Sequence, residues 1–215
     1  MNADPRSVAL LTPQFWPEAC ETRERIVHDL AQELLTRGHR PRVITSHPGR
    51  PGRSVERGIP ITRHWRPPEP WTLRNVESGL SHLPFAYASL QLEAPAVAHA
   101  FHPNDALAAL RWSRGGGGPT VLSCMSVLTR ESIAAKRLRR TILEQVVYGA
   151  DAIVAPSGAV RDALWRWFGV EAELVPAEEV TTAAAADAYL ATYERVLAGG
   201  QLTRRPRTRG ARARS

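Results

Sequence analysis

Short apolar runs alternate with amphipathic stretches along this chain, and the alternation repeats to near its end. Ser7–Leu11 reads Ser-Val-Ala-Leu-Leu and stops at Thr12-Pro13, which predicts a first strand. Residues 22–37 place Ile26, Val27, Leu30, Leu34 and Leu35 on one face at helical spacing with charges opposite, and Gly38 follows as a stop. Strands are predicted at 42–46 and 59–65, separated by a loop over 47–58 rich in Pro, Gly and Arg. Residues 67–75 are irregular, with three prolines and Trp71. Beyond them the pattern gives a helix over 78–92, a strand over 96–101 and a helix over 104–112. Gly115 to Gly118 reads as a flexible connector into a strand over 120–124, followed by one long helix over 132–148 and a strand over 152–155. Ser157 is placed to cap a helix running to 167, which Gly169 ends before a last strand at 173–175. An alanine-rich helix over 181–197 stops at Gly199-Gly200.

Strand and helix in regular succession predict an α/β fold: a Rossmann-like parallel sheet of six or seven strands with helices on both faces and right-handed crossovers. Ligands bind at the carboxyl ends of the strands in such sheets. That selects the loops 12–21, 46–58, 101–104, 124–131 and 155–158.

Length supports one domain, since the chain has 215 residues, 43% of them hydrophobic. No apolar run approaches the ~20 residues of a membrane span, and the first residues lack a signal-peptide core. The expected location is cytoplasmic. The net charge of +7 belongs mostly to the end of the chain, where Arg204, Arg205, Arg207, Arg209, Arg212 and Arg214 stand without an acid. The folded part is close to neutral and predicts no specific nucleic-acid partner. Its solvated basic tail past 201 is expected to be disordered, with weak contact to nucleic acid or anionic lipid as the rival reading. Two distant cysteines, Cys20 and Cys124, exclude a thiolate zinc site by number and predict buried thiols rather than a disulfide. The first strand–helix turn, residues 12–21, contains no glycine, which argues against NAD, FAD or ATP binding there; no cofactor is expected.

Three segments carry a family resemblance. Glu24-Arg25-Ile26-Val27-His28-Asp29-Leu30-Ala31, continued by Leu34-Leu35-Thr36-Arg37-Gly38-His39 and Val43-Ile44-Thr45, resembles the opening of the family 4 glycosyltransferases. Val97-Ala98-His99-Ala100-Phe101-His102 resembles a strand of that family, and Gly149-Ala150-Asp151-Ala152-Ile153-Val154-Ala155-Pro156-Ser157, with Arg161, Leu164 and Phe168-Gly169-Val170, resembles another of its segments. The resemblance runs in order over residues 7–176. It implies a GT-B fold, in which two Rossmann-like domains face a cleft, one mainly binding the acceptor and the other the nucleotide-sugar donor. This chain is then a single GT-B half-domain, the acceptor side, over residues 1–176. Residues 187–198 resemble the family's last helix, which crosses back onto the first domain, so 177–200 are expected to pack on it, the alternative being an ordinary alanine-rich terminal helix, and 201–215 form the tail.

The chain departs from the family in three places. Ala177-Glu178-Glu179-Val180 follows Leu174-Val175-Pro176 where the family has a linker to the donor domain. The donor domain with its E-x7-E motif is missing, and the spacing matches Glu171/Glu179 and Glu69/Glu77 lack its context. Glu21-Thr22 replaces paired glycines, and a carboxylate there would repel a diphosphate. Met125 stands where the family often has a histidine credited with catalysis, so either His102 substitutes or the chemistry is lost.

The resulting substrate-binding candidates are Glu21, Thr22, Arg23, His102, Asn104, Met125, Arg130 and Ser157, with His102 the only candidate catalytic group. His102 reads equally as a polar group over the acceptor and as an exposed loop residue with Asn104 or Asp105 starting the next helix. Arg130 and Glu131 could hold an acceptor phosphate or hydroxyl, or form a solvated helix start. Ser157 reads first as an N-cap. Trp16 and Trp71 could wall a sugar or lipid acceptor. The implied function is transfer of a sugar from a nucleotide-sugar, inactive without a donor domain, which a separate polypeptide would supply, at the inner membrane surface or free of it. The alternatives are a non-catalytic binding remnant and an adaptor acting through the arginine tail.

Overall fold

The computed structural model describes residues 6–15, 22–66, 80–135, 137–176 and 183–200, with only the backbone of Thr22, Arg23 and Glu24. The expectations for the tail, for Glu21, for Cys20, and for Trp16 and Trp71 lie outside the described residues.

The strands are β1 (Ser7–Leu11), β2 (Arg40–His47), β3 (Gly52–Glu56), β4 (Ile59–Trp65), β5 (Val97–Ala100), β6 (Thr120–Ser123), β7 (Ala152–Ala155) and β8 (Glu173–Leu174). They form one sheet in the order β3-β4-β2-β1-β5-β6-β7-β8. Seven strands run parallel, and only β3 pairs antiparallel. The sheet therefore has eight strands where six or seven were expected. The extra strand lies in the stretch 47–58 that its Pro, Gly and Arg content marks as loop. A two-residue turn makes the difference: Arg57 and Gly58 both take positive φ, 49° and 83°, the geometry that joins two right-twisted strands into a hairpin. Glu56 then faces Ile59 across the turn.

The helices are α1 (Thr22–Thr36), α2 (Leu83–Glu93, preceded by a 3-10 turn Leu80–His82), α3 (Pro103–Arg114), α4 (Arg130–Ala134), α5 (Arg137–Gly149), α6 (Gly158–Phe168) and α7 (Ala183–Leu197). The single long helix expected over 132–148 is two. A capping box sets the start of α4: Ser132 N–H donates to Thr129 Oγ1 at 3.1 Å, and Thr129 N–H donates to Ser132 Oγ at 2.9 Å. Ser132 is thus the third residue of a helix begun at Arg130, not its first.

β5, β6 and β7 are buried at every position, as parallel strands covered on both faces must be. On one face α2, α3, α5 and α6 contribute Leu90, Leu110, Val146 and Leu164 to a core over Ala98 and Leu122. On the other, α1 contributes Ile26, Val27, Leu30 and Leu34, and α7 contributes Tyr189, Tyr193 and Val196. Each such aliphatic side chain contributes roughly 1.5–3 kcal/mol by leaving water. α7 crosses that face. Near its start Arg37, in the turn after α1, donates to the Ala183 carbonyl at 2.7 Å and pairs with Asp187. At its far end Arg195 and Thr192 both meet Glu173 of β8.

The glycine run also differs from a flexible connector. A Cβ on Gly117 would sit 2.3 Å from the Trp112 ring, and one on Gly118 would sit 2.4 Å from the Ala96 carbonyl oxygen. These two positions are glycine because the buried indole of Trp112 and the strand entrance press against the backbone.

Candidate functional site

The carboxyl ends of β5 and β6 open into a cavity of about 330 Å³. Its floor is apolar, made by Leu122, Ile142, Leu143 and Val147, and its polar wall holds His102, Asn104, Ser126, Ser132 and Arg139, with Cys124 and Met125 between. The sequence-selected loops 101–104 and 124–131 thus meet in one place. A hydrophobic cavity with a few convergent polar groups is the usual form of a small-molecule site.

His102 is the N-cap of α3 in extended conformation, and its Nδ1 accepts the Asn104 N–H at 3.2 Å. Both readings of this residue therefore hold at once, since it caps the helix and lines the cavity. The cap fixes its chemistry. With Nδ1 accepting a backbone hydrogen, the neutral ring carries its own hydrogen on Nε2. Asn104 is buried at the start of α3. Met125 lines the same cavity, partly buried, and its thioether supplies surface but no transferable proton. Cys124 is buried, and burial pushes its thiol up to about 11, so it is an unreactive wall group.

Arg130 and Ser157 are placed elsewhere. Ser157 caps α6, with Val160 N–H donating to its Oγ at 3.4 Å, and is exposed. Arg130 is exposed on α4 and lines a groove beside Trp167, together with Glu131. Thr22 and Arg23 open α1, and their side chains, like Glu21, lie outside what is described.

Two buried polar pairings, His82–Asp105 and His99–Tyr193, escaped the sequence reading. His82 Nδ1 and Asp105 Oδ1 lie 3.0 Å apart, both fully buried, and Asp105 stands in the first turn of α3 after His102. They are 23 residues apart in the chain, and no spacing signals such a pair. His99, on β5 beneath the site, hydrogen-bonds through Nδ1 to the Tyr193 hydroxyl at 2.7 Å and through Nε2 to Ser123 Oγ at 2.8 Å. Burial holds its pKa down at about 3, so it is neutral and structural. Among the described residues no group of three or more His, Cys, Asp or Glu is placed to hold a metal ion. No helix among them is long and apolar enough to cross a membrane.

The architecture matches solved structures closely enough to compare. Sucrose-phosphate synthase from Thermosynechococcus elongatus superposes with a TM-score of 0.65 at 16% identity, over 80% of this chain and 48% of that one. A form of the same enzyme designated 27_220_406_426 matches with a TM-score of 0.64 at 15% identity, over 89% of this chain and 99% of that one. The catalytic domain of starch synthase IV from Arabidopsis thaliana gives 0.57 at 12% identity, over 75% of this chain and 48% of that one. At these identities the likeness shows the fold, a GT-B half-domain. The chain spans about half the length of the full catalytic structures it matches. No curated protein matches it by sequence. The model of Glycosyltransferase Family 4 matches residues 24–176, well over half of the chain, and on that match the chain belongs to glycosyltransferase family 4.

Proposed function

We propose that these 215 residues are the acceptor-binding half of a GT-B glycosyltransferase, and that they transfer no sugar without a donor domain outside them. The observation that carries the reading is the cavity at the carboxyl edge of β5 and β6, where His102, Asn104 and Arg139 converge over an apolar floor. Its polar wall offers donors to hydroxyl or phosphate oxygens, and its floor suits the apolar face of a sugar ring or a lipid stem. Similar folds are found in chains described with ADP and acarbose and with UDP and glucose, which supports a nucleotide-sugar as the donor.

Catalysis of this transfer requires the acceptor oxygen to be held against the sugar while positive groups neutralise the leaving diphosphate. In this cavity His102, Asn104 and Arg139 form the polar side against which an acceptor is held, and Met125 moves no proton. The groups that would neutralise a diphosphate are expected from the other domain. The reading is tested by blocking the cavity. Ser126→Trp places a large side chain on its exposed rim, and calorimetry against sugars, sugar phosphates and glycolipids should show binding to the parent chain and none to the variant. Equal binding by the two proteins puts the acceptor site elsewhere.

A further inference from the structure

A second cavity, of about 400 Å³, lies at the end of the sheet opposite His102. It spans the amino ends of β1, β2 and β4, where Ser7, Arg40 and Pro60 stand, and reaches the carboxyl end of α2 at Glu93. The hollow follows from small side chains. Ser7 and Ala9 carry little to fill it, and Gly58, at φ 83°, could take no Cβ without meeting Leu35 at 2.9 Å. Ala94 adopts a left-handed conformation and ends α2 beside it.

Three charged side chains line this cavity: two arginines against one glutamate, a net of +1. Arg40 and Arg42 stand two apart on β2 and so belong to one face of the sheet. Arg40 is exposed and makes no ion pair among the described residues. Arg42 donates to Glu93 Oε1 at 3.0 Å, and the Glu93 side chain is only 7% exposed. Its other carboxylate oxygen, Oε2, is buried and has no hydrogen-bond partner among the described residues. Glu93 also breaks a local rule, because a carboxylate in the last turn of a helix opposes the negative end of the helix dipole. Buried polar atoms are normally satisfied, and a residue that violates two rules at the wall of a cavity marks a functional position. Ser7 adds a donor: its Oγ accepts the Ala96 N–H at 3.0 Å, which leaves its own hydrogen for a ligand oxygen.

We propose that this cavity binds a small anionic polyol, a sugar bearing one phosphate or carboxylate group. Arg40, with Arg42 beside it, takes the anionic group. A sugar hydroxyl donates to Glu93 Oε2, and another accepts from Ser7. A simple anion such as sulfate has no hydrogen to give Glu93, and its charge is repelled there. A neutral sugar leaves Arg40 unmet, and an apolar ligand leaves both groups unmet. No residue lines both this cavity and the one at His102, so the site does not rest on the acceptor reading.

The test is titration of the 15N-labelled full chain with a hexose 6-phosphate and with a hexuronate, followed by amide shifts and by calorimetry. Saturable shifts should centre on Ser7, Arg42, Gly58 and Glu93 for at least one of the two, and the one that binds identifies the anionic group. The neutral hexose, and sulfate at matched ionic strength, should each bind more weakly by about tenfold or more. Arg40→Gln changes an exposed, unpaired side chain and should weaken sugar binding about tenfold, the size of one hydrogen bond to a charged group. Glu93→Gln should weaken the sugar ligand and leave sulfate unchanged or tighter. Ser126→Trp, in the other cavity, and a variant with all six tail arginines changed to glutamine should bind as the parent does. The proposal is overturned by the absence of saturable binding for both sugar ligands, by sulfate binding as tightly as the sugar phosphate, by equal affinity in Arg40→Gln, or by loss of binding in Ser126→Trp or in the tail variant.

Discussion

The hydroxyl of Tyr193 on α7 lies 2.7 Å from Nδ1 of His99 on β5, across 94 residues of chain, with both groups buried. The contact ties the last helix to the middle of the sheet. The His99 ring also packs 4.2 Å, centroid to centroid, from that of Phe101, tilted by 33°, and Phe101 precedes the cavity histidine. The helix that closes the domain and the strand that positions the site are therefore one packed unit.

Tyr193→Phe removes the hydroxyl and leaves a buried imidazole nitrogen without its partner. An unsatisfied buried polar group costs about 1–3 kcal/mol, and urea denaturation should show a loss of that size at unchanged m-value. A loss within error of zero would mean that the hydrogen bond adds nothing to the docking of α7.

His99 also sets a pH dependence. Burial lowers its pKa from 6.5 to about 3. Between those values the unfolded chain binds a proton that the native protein does not. Its contribution is therefore complete above about 6.5 and falls by about 1.4 kcal/mol for each pH unit toward 3. His99→Gln does not titrate, so its stability should vary less steeply over that window than the parent's. Parallel profiles would contradict the assignment. Carboxylates and His64, which is lowered to about 4 mainly by burial, act in both proteins and cancel in the comparison.

Gly117→Ala should destabilise by about 1–3 kcal/mol, because its new Cβ collides with the fixed ring of Trp112. Gly158→Ala is the control. No atom lies within 4 Å of its Cβ, and alanine is the better residue in a helix. Thermal melts should move in opposite directions.

At His102 the cap and the site can be separated. His102→Ala should lose about 1 kcal/mol with the cap, whereas His102→Asn should keep most of it. Acceptor binding should weaken in both, since neither keeps a donor where Nε2–H stands. Full binding by His102→Asn would show that the residue serves α3 alone.

The sheet was legible in the chain because buried parallel strands leave unmistakable runs, such as Val8 to Leu11 and Ala152 to Ala155, and amphipathic helices leave period-3.6 stripes such as Ile26 to Leu34. β3 was hidden because its hairpin depends on Arg57 holding a positive φ, which no arginine advertises. The glycine run looked flexible because nothing local shows that Trp112 packs on it. The loops of the cavity were found through the rule that ligands bind at the carboxyl ends of strands, so His102, Asn104 and Met125 come together. Arg130 follows β6 and Ser157 follows β7, but neither lines the cavity, a distinction the loop rule does not resolve. His82–Asp105 and His99–Tyr193 are tertiary pairs, with no signature at sequence distance.

The central claim is that this domain holds an acceptor but needs another domain for transfer. The direct measurement is release of nucleoside diphosphate when the purified 215-residue chain is given acceptors and a panel of nucleotide-sugars. The account predicts no release above the buffer blank and weak nucleotide-sugar binding at most, since positioning of donor against acceptor alone supplies about 7–11 kcal/mol of the barrier reduction. Sustained release by the chain alone, abolished by His102→Ala, would show a complete enzyme and contradict it.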